Sequence, residues 1–173
     1  MDYNYIFFDC ESNSGRSHAD ILTISALFVD KNFKLIEEFN CAARLRKSRI
    51  YEIDSFLVNG MDPFEVDKHP FSNFDLTKKT NDKFISWINK GPLLFCAHNG
   101  YQFDYMLTST HLFTNLFTWP WIFSTGNAKQ IDSLPILQNF DFYAPNTIAV
   151  ELNEKSNKTF KLGSLCRMNG FDL

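Results

Sequence analysis

The sequence predicts an α/β fold built on a mixed β-sheet, and three observations carry that expectation. An apolar run spans residues 4–10 near the N-terminus. Two more apolar segments, 20–30 and 33–42, are joined through Asp30-Lys31-Asn32, a turn suited to a hairpin. From residue 81 onward, amphipathic segments and short apolar segments alternate. Three strands followed by alternating helices and strands make a mixed sheet flanked by helices.

Each element has a local reason. Residues 4–10, 20–30 and 33–42 are apolar runs of strand length bounded by polar residues. Residues 43–79 show no sustained period and are expected to be irregular, with a turn at Asn59-Gly60-Met61-Asp62-Pro63. Phe84, Ile85 and Ile88 form one apolar stripe, which predicts a helix over 81–89, ended by Gly91-Pro92. Leu93-Leu94-Phe95-Cys96 then reads as a short buried strand. A turn at Asn99-Gly100 precedes a helix expected over 102–112, and a strand is expected near 119–124. A helix over 133–140 opens behind Asp132 as N-cap. The polar stretch 141–158 is expected to be an insertion loop, and a final helix covers 162–169, with Gly170 at C′.

A chain of 173 residues is long enough for one domain with a substantial core, so residues 1–173 are read as a single domain. Nineteen Phe allow that core to be built from aromatics. The formal charge of −3 does not advertise nucleic-acid binding, yet a carboxylate site that divalent ions neutralise is consistent with it. Cys10, Cys41, Cys96 and Cys166 form no closely spaced pair, and three of them, within or beside apolar runs, read as small apolar residues. With no signal-peptide pattern and no apolar run near membrane-spanning length, the expected setting is reducing, cytoplasmic and away from membranes.

Two segments carry chemistry. In Phe8-Asp9-Cys10-Glu11-Ser12, an apolar strand ends in carboxylates two residues apart, which on a strand share one face. In Asn99-Gly100-Tyr101-Gln102-Phe103-Asp104, a turn delivers a third carboxylate from another element. Asp9, Glu11 and Asp104 together would make an oxygen-only donor set for a hard cation such as Mg²⁺ or Mn²⁺. Arg44, Arg46, Lys47 and Arg49 form the one dense positive run, read as a solvated face or as a phosphate contact. Trp119 and Trp121 are read as core aromatics or base-stacking platforms.

These segments resemble the motifs of the DEDD superfamily of 3′→5′ exonucleases, whose fold is ribonuclease H-like. Within it, the similarity is greatest to the bacterial exonuclease I family. Phe8-Asp9-Cys10-Glu11-Ser12 matches the Asp-x-Glu-Thr motif with serine in place of threonine, and Asn99 to Asp104 matches Asn-x-x-x-Phe-Asp. Val58-Asn59-Gly60-Met61-Asp62-Pro63, Asp132-Ser133-Leu134 and the segment from Phe160 to Gly170 match further family segments in order. The resemblance implies a five-stranded sheet of three antiparallel strands and then parallel ones. It also implies two Mg²⁺ or Mn²⁺ ions held by Asp9, Glu11 and Asp104 as catalytic ligands. Ser12, Gly60, Met61, Asn99 and Phe103 would contact the terminal nucleotide of single-stranded nucleic acid, with DNA favoured over RNA. Three of them have a structural alternative: Ser12 and Asn99 as turn residues, and Met61 as a loop anchor.

The family has a further helix with a histidine and a fourth carboxylate, and residue 173 comes before it. His18, His69, His98 and His111 do not stand at the matching place, and Asp172 stands too early. The expectation is therefore an exonuclease domain cut short at its C-terminal side. A second chain supplying the helix, and a binding module of the same fold without catalysis, are the alternatives. An exoribonuclease trimming RNA would share the metal site.

Overall fold

The computed structural model describes residues 3–16, 18–47, 49, 52–116, 126–145 and 147–170, with 113–116 described by backbone alone. The chain divides into two compact units, Met1–Ile131 and Asp132–Leu173. The first unit holds β1 (Asn4–Ser12), β2 (Ile21–Val29), β3 (Leu35–Ala42), α1 (Ile53–Asn59), α2 (Pro63–Asp67), α3 (Asn73–Ile88), β4 (Leu93–Ala97), α4 (Asp104–Leu116) and β5 (Ala128–Asp132). The second holds α5 (Ser133–Tyr143), the short pair β6 (Glu151–Leu152) and β7 (Lys158–Thr159), and α6 (Leu162–Met168). Among the described residues no helix is long and apolar enough to cross a membrane.

The expected mixed sheet is present, with strand order β3-β2-β1-β4-β5. β1 pairs antiparallel with β2, Tyr5 facing Val29 and Glu11 facing Thr23, and β2 pairs antiparallel with β3. On its other side β1 runs parallel to β4, from Asn4 beside Leu93 to Phe7 beside Cys96. The hairpin turn is built by Asp30, whose carboxylate accepts from the N–H groups of Asn32 and Lys34, while Phe33 adopts φ 62°.

Period-two alternation gives β1 two distinct faces. Ile6, Phe8 and Cys10 point into the core, whereas Phe7 and Asp9 are exposed on the opposite face. The core is aromatic, as the phenylalanine content suggests. Phe8 meets Phe84, Phe95 and Tyr105 edge-on, at centroid distances of 6.0, 6.2 and 5.4 Å. Trp87 stacks on Phe28 at 5.4 Å and donates its indole N–H to Glu37 at 2.7 Å. Edge-on and offset pairs of this kind each contribute about 1 kcal/mol beyond area burial.

Three expectations require correction. Residues 43–79 are not mostly irregular: they contain α1, α2 and the beginning of α3. The helix expected from 81 begins at Asn73 because Ser72 and Asp75 form a capping box. Buried Thr77 and Thr80 interrupt the apolar stripe in sequence, but Thr77 satisfies its hydroxyl on the Asn73 carbonyl at 2.8 Å, so the helix continues. The stretch 141–158 is not simply a loop, since α5 reaches Tyr143 and β6 pairs with β7. The strand expected near 119–124 and the two tryptophans lie outside the described residues. The fifth strand of the sheet is β5, whose Ala-Lys-Gln-Ile-Asp sequence offers too little apolar character to be recognised. Asp132 caps α5 as expected, accepting from the Leu134 N–H at 3.0 Å, and Gly170 follows α6 at φ 79°.

Replacing Ser72 by alanine removes half of the capping box of α3. The expected loss is about 1 kcal/mol of unfolding free energy, measured by urea denaturation.

Candidate active site

The site lies where β1 outruns its parallel neighbour. Pairing between β1 and β4 stops at Phe7 and Cys96, and β1 continues through Asp9 and Glu11. Open carboxyl ends of parallel strands are where α/β sheets present ligand sites. Asp9 and Glu11 leave the same face of β1 and stand opposite the small polar residues Ser25 and Thr23 of β2.

Asp104 arrives from α4, and the turn before it explains how. Asn99 takes the left-handed conformation at φ 61°. A Cβ on Gly100 would lie 2.6 Å from the Ala97 Cβ and 2.8 Å from the Tyr105 ring, so the chain turns tightly only because this residue has no side chain. The Tyr105 N–H donates to the Gly100 carbonyl at 2.8 Å. Its hydroxyl sits 2.5 Å from the Phe95 carbonyl and 2.7 Å from that of Ile131, which fastens the start of α4 to β4 and β5. Asp104, one residue earlier, is then directed at β1. Its Oδ1 accepts the Cys10 N–H at 2.8 Å, across 94 residues of sequence. Cys10 stands between Asp9 and Glu11 in the chain, so this bond anchors Asp104 to the strand segment that carries the other two acids. The Cys10 Sγ lies 3.4 Å from the Thr108 hydroxyl, a second link between β1 and α4.

The charges strain against one another. Burial, then the neighbouring Asp9 and Glu11, push the Asp104 carboxyl up to about 7, with the Cys10 N–H opposing the rise. Partial desolvation by the surrounding protein also raises Asp9, although its side chain keeps contact with solvent, while the Cys10 N–H and His98 favour its ionised form. Glu11 is raised by burial and then by Asp9. His98 was not foreseen as a site residue. It directly follows the last residue of β4 and comes within electrostatic reach of Asp9.

The three carboxylates come within electrostatic reach but do not close into the expected cage. Among the described residues, no three His, Cys, Asp or Glu side chains are grouped so as to hold a metal ion. Asp104 instead places its Oδ1 on the Cys10 backbone amide. The chemistry of the donors, all oxygen and all with raised proton affinity, still fits a hard divalent cation.

The other expected contact residues divide into two groups. Ser12 is buried at the end of β1, and its hydroxyl donates to the Ser14 carbonyl at 2.6 Å, a turn-forming role. Asn59, expected only as part of a turn, donates its side-chain amide to the Ser12 carbonyl at 3.1 Å. That bond brings the Gly60-Met61 turn to the end of β1. Gly60 closes α1 at φ 66°, and Met61 packs against Leu22, Leu45 and Phe56 as a loop anchor. In the second group, Asn99 forms the turn already described and Phe103 packs against the main core.

A central strand shared between an antiparallel hairpin and a parallel partner, ending in acids met by a helix-borne aspartate, defines the ribonuclease H-like fold. The chain has the exonuclease I-like form of it. Over 98% of its length it superposes on E. coli exonuclease I in complex with a 5cy-dA13 oligonucleotide, with a TM-score of 0.84 at 18% identity, covering 37% of that chain. It superposes over 99% of its length on product-bound exonuclease I, with a TM-score of 0.86 at 17% identity, covering 39% of that chain. In sequence it is 25% identical over 173 residues to exodeoxyribonuclease I of Buchnera aphidicola subsp. Schizaphis graminum, matching 97% of this chain and 34% of the relative. The chain thus spans about a third of the length of the curated relative it matches. No family model matches it.

Two measurements test this geometry. Asp104 binds its proton more tightly in the folded chain between its ordinary 3.8 and about 7, so stability from this group falls as pH rises through that window. Without divalent ions, Asp104→Asn keeps an acceptor for Cys10 and should raise Tm at pH 8 by roughly 3 °C or more. Near pH 4 it should leave Tm almost unchanged. Gly100→Ala should destabilise by about 1–3 kcal/mol in chemical denaturation, because its Cβ meets well-packed atoms.

Proposed function

We propose that the chain is the nuclease domain of a metal-dependent 3′→5′ exonuclease that releases mononucleotides from single-stranded DNA. The observation that carries this reading is the Asp104 carboxylate seated on the peptide N–H between Asp9 and Glu11, within an exonuclease I-like fold. The oligonucleotides in the E. coli exonuclease I complexes, dA13 and dT13, support single-stranded DNA as the substrate class.

In this reading Asp9, Glu11 and Asp104 would together hold Mg²⁺ or Mn²⁺ through carboxylate oxygens. When bound, such ions supply hydroxide at neutral pH and neutralise the departing 3′-oxygen. His98 favours the ionised state of Asp9 and so keeps this ligand ready. Asp104 must lose its proton to ligate, and its value of about 7 makes ion binding strengthen as pH rises through neutrality. The Asn59–Ser12 bond holds the Gly60-Met61 turn beside the acids, where a terminal nucleotide would rest.

One observation favours a second reading, nucleic-acid binding without cleavage: the acids do not form a closed ligand group among the described residues.

The test uses the longest natural chain that contains these residues. Mn²⁺ or Mg²⁺ should raise Tm at pH 8 for the wild type and not for Asp9→Ala. A 5′-labelled single-stranded DNA should be shortened only in the presence of metal, and Asp9→Ala should lower the rate at least about 100-fold. An RNA strand of the same sequence should be shortened more slowly. Strand binding without metal-dependent shortening would establish the second reading in place of the first.

A further inference from the structure

The connection following β3 carries a feature that the proposed reaction does not use. Arg44, Arg46, Lys47 and Arg49 fall within six residues of a chain whose formal charge is −3. With Leu45 and Asp67 they line a cavity of about 400 Å³. Four cations around one opening repel each other, so their arrangement needs a cause, and the structure supplies it.

Asp20 is fully buried and serves as the counter-charge behind the cavity. Its Oδ1 accepts from the Arg46 Nε at 2.6 Å and also pairs with the Arg46 Nη2; the Arg49 Nε lies 3.5 Å away. Its Oδ2 accepts the Arg46 backbone N–H at 3.1 Å. Arg44 is pinned separately, its Nη1 donating to the Pro70 carbonyl at 2.6 Å and lying 3.3 Å from that of His69. Three guanidiniums are thus held in place by bonds that use only part of their five-donor capacity. Lys47 is exposed and forms no ion pair among the described residues. One lining carboxylate, Asp67, and one buried carboxylate, Asp20, do not neutralise four cations. Pre-positioned guanidiniums with spare donors are a recognition element for phosphate oxygens.

The cavity is also tied to the acidic site. Asn13 accepts the Asp20 N–H on its side chain at 2.7 Å and donates its own N–H to the Asp20 carbonyl at 3.1 Å. Asn13 follows Ser12 directly at the end of β1, two residues beyond Glu11. The anchor of the cationic loop and the end of the acidic strand are therefore one hydrogen-bonded unit.

We infer that this cavity is a binding site for a backbone phosphate of the single strand whose 3′ end lies at Asp9, Glu11 and Asp104, gripping the strand upstream of the bond to be cut. The assignment of the strand's end rests on the proposed function. The acids face the end of the strand and the cationic loop holds its body, so grip is separated from cutting.

The test is fluorescence anisotropy with a trinucleotide and a long oligothymidylate, in the presence of chelator, comparing wild type with Lys47→Ala and Lys47→Glu. Because Lys47 is exposed and unpaired, both variants should keep the wild-type Tm. The long strand should bind Lys47→Ala about threefold more weakly, with a salt slope shallower by about 0.7, and Lys47→Glu more weakly still. Trinucleotide binding should not change. An unchanged affinity and slope for the long strand would overturn the inference, as would equal losses for both lengths. Strong competition by inorganic phosphate that Lys47→Glu abolishes, with long-strand binding intact, would also overturn it by making the cavity a free-anion site. A wild-type protein that grips the long strand through Lys47 yet never cleaves it would overturn the proposed reaction and leave this inference standing.

Discussion

The hydrogen bond from the Cys10 N–H to the Asp104 carboxylate is the constraint on which the rest of the site depends. It joins the central strand to the first residue of α4, so the strand's position and the helix's position cannot be set independently. Breaking it would leave a buried carboxylate without its principal partner, a greater penalty than the modest net worth of an ordinary hydrogen bond. The Tyr105 hydroxyl beside the Phe95 and Ile131 carbonyls and the close fit of Gly100 hold α4 so that this bond can form. The aromatic packing around Phe8 and the collection of acids around Cys10 are thus two sides of one arrangement.

That arrangement holds together groups that oppose one another. Asp9, Glu11 and Asp104 all have raised proton affinities, and Asp104 is raised to about 7. Charges concentrated in this way weaken a fold unless a proton or a cation compensates them. Asn13, two residues beyond Glu11, closes a local turn onto Asp20 seven residues further on, so the acidic strand and the cationic loop lie in one neighbourhood while keeping separate partners.

The mixed sheet could be read from the sequence because its first three strands and β4 are apolar runs of strand length. The pair Asp9 and Glu11 was legible for the same reason, since alternation along a strand is a local property. Other features were hidden by local exceptions. Thr77 and Thr80 disguised the first half of α3, and the polar composition of β5 concealed the fifth strand. The positions around the acids were legible as residue types and not as roles: Ser12, Met61 and Phe103 each turn out to have a structural task as well.

By itself the sequence determined the elements whose cause lies within a few residues: the alternating strands, the Asp132 cap, the Asn99-Gly100 turn and the presence of three acids on two segments. Only the tertiary structure decided that Asp104 rests on the Cys10 peptide, that His98 comes within electrostatic reach of Asp9, and that one buried aspartate gathers two arginines. Those relations join residues far apart in the chain, and their energies come from burial and charge, which exist only once the strands and helices have packed.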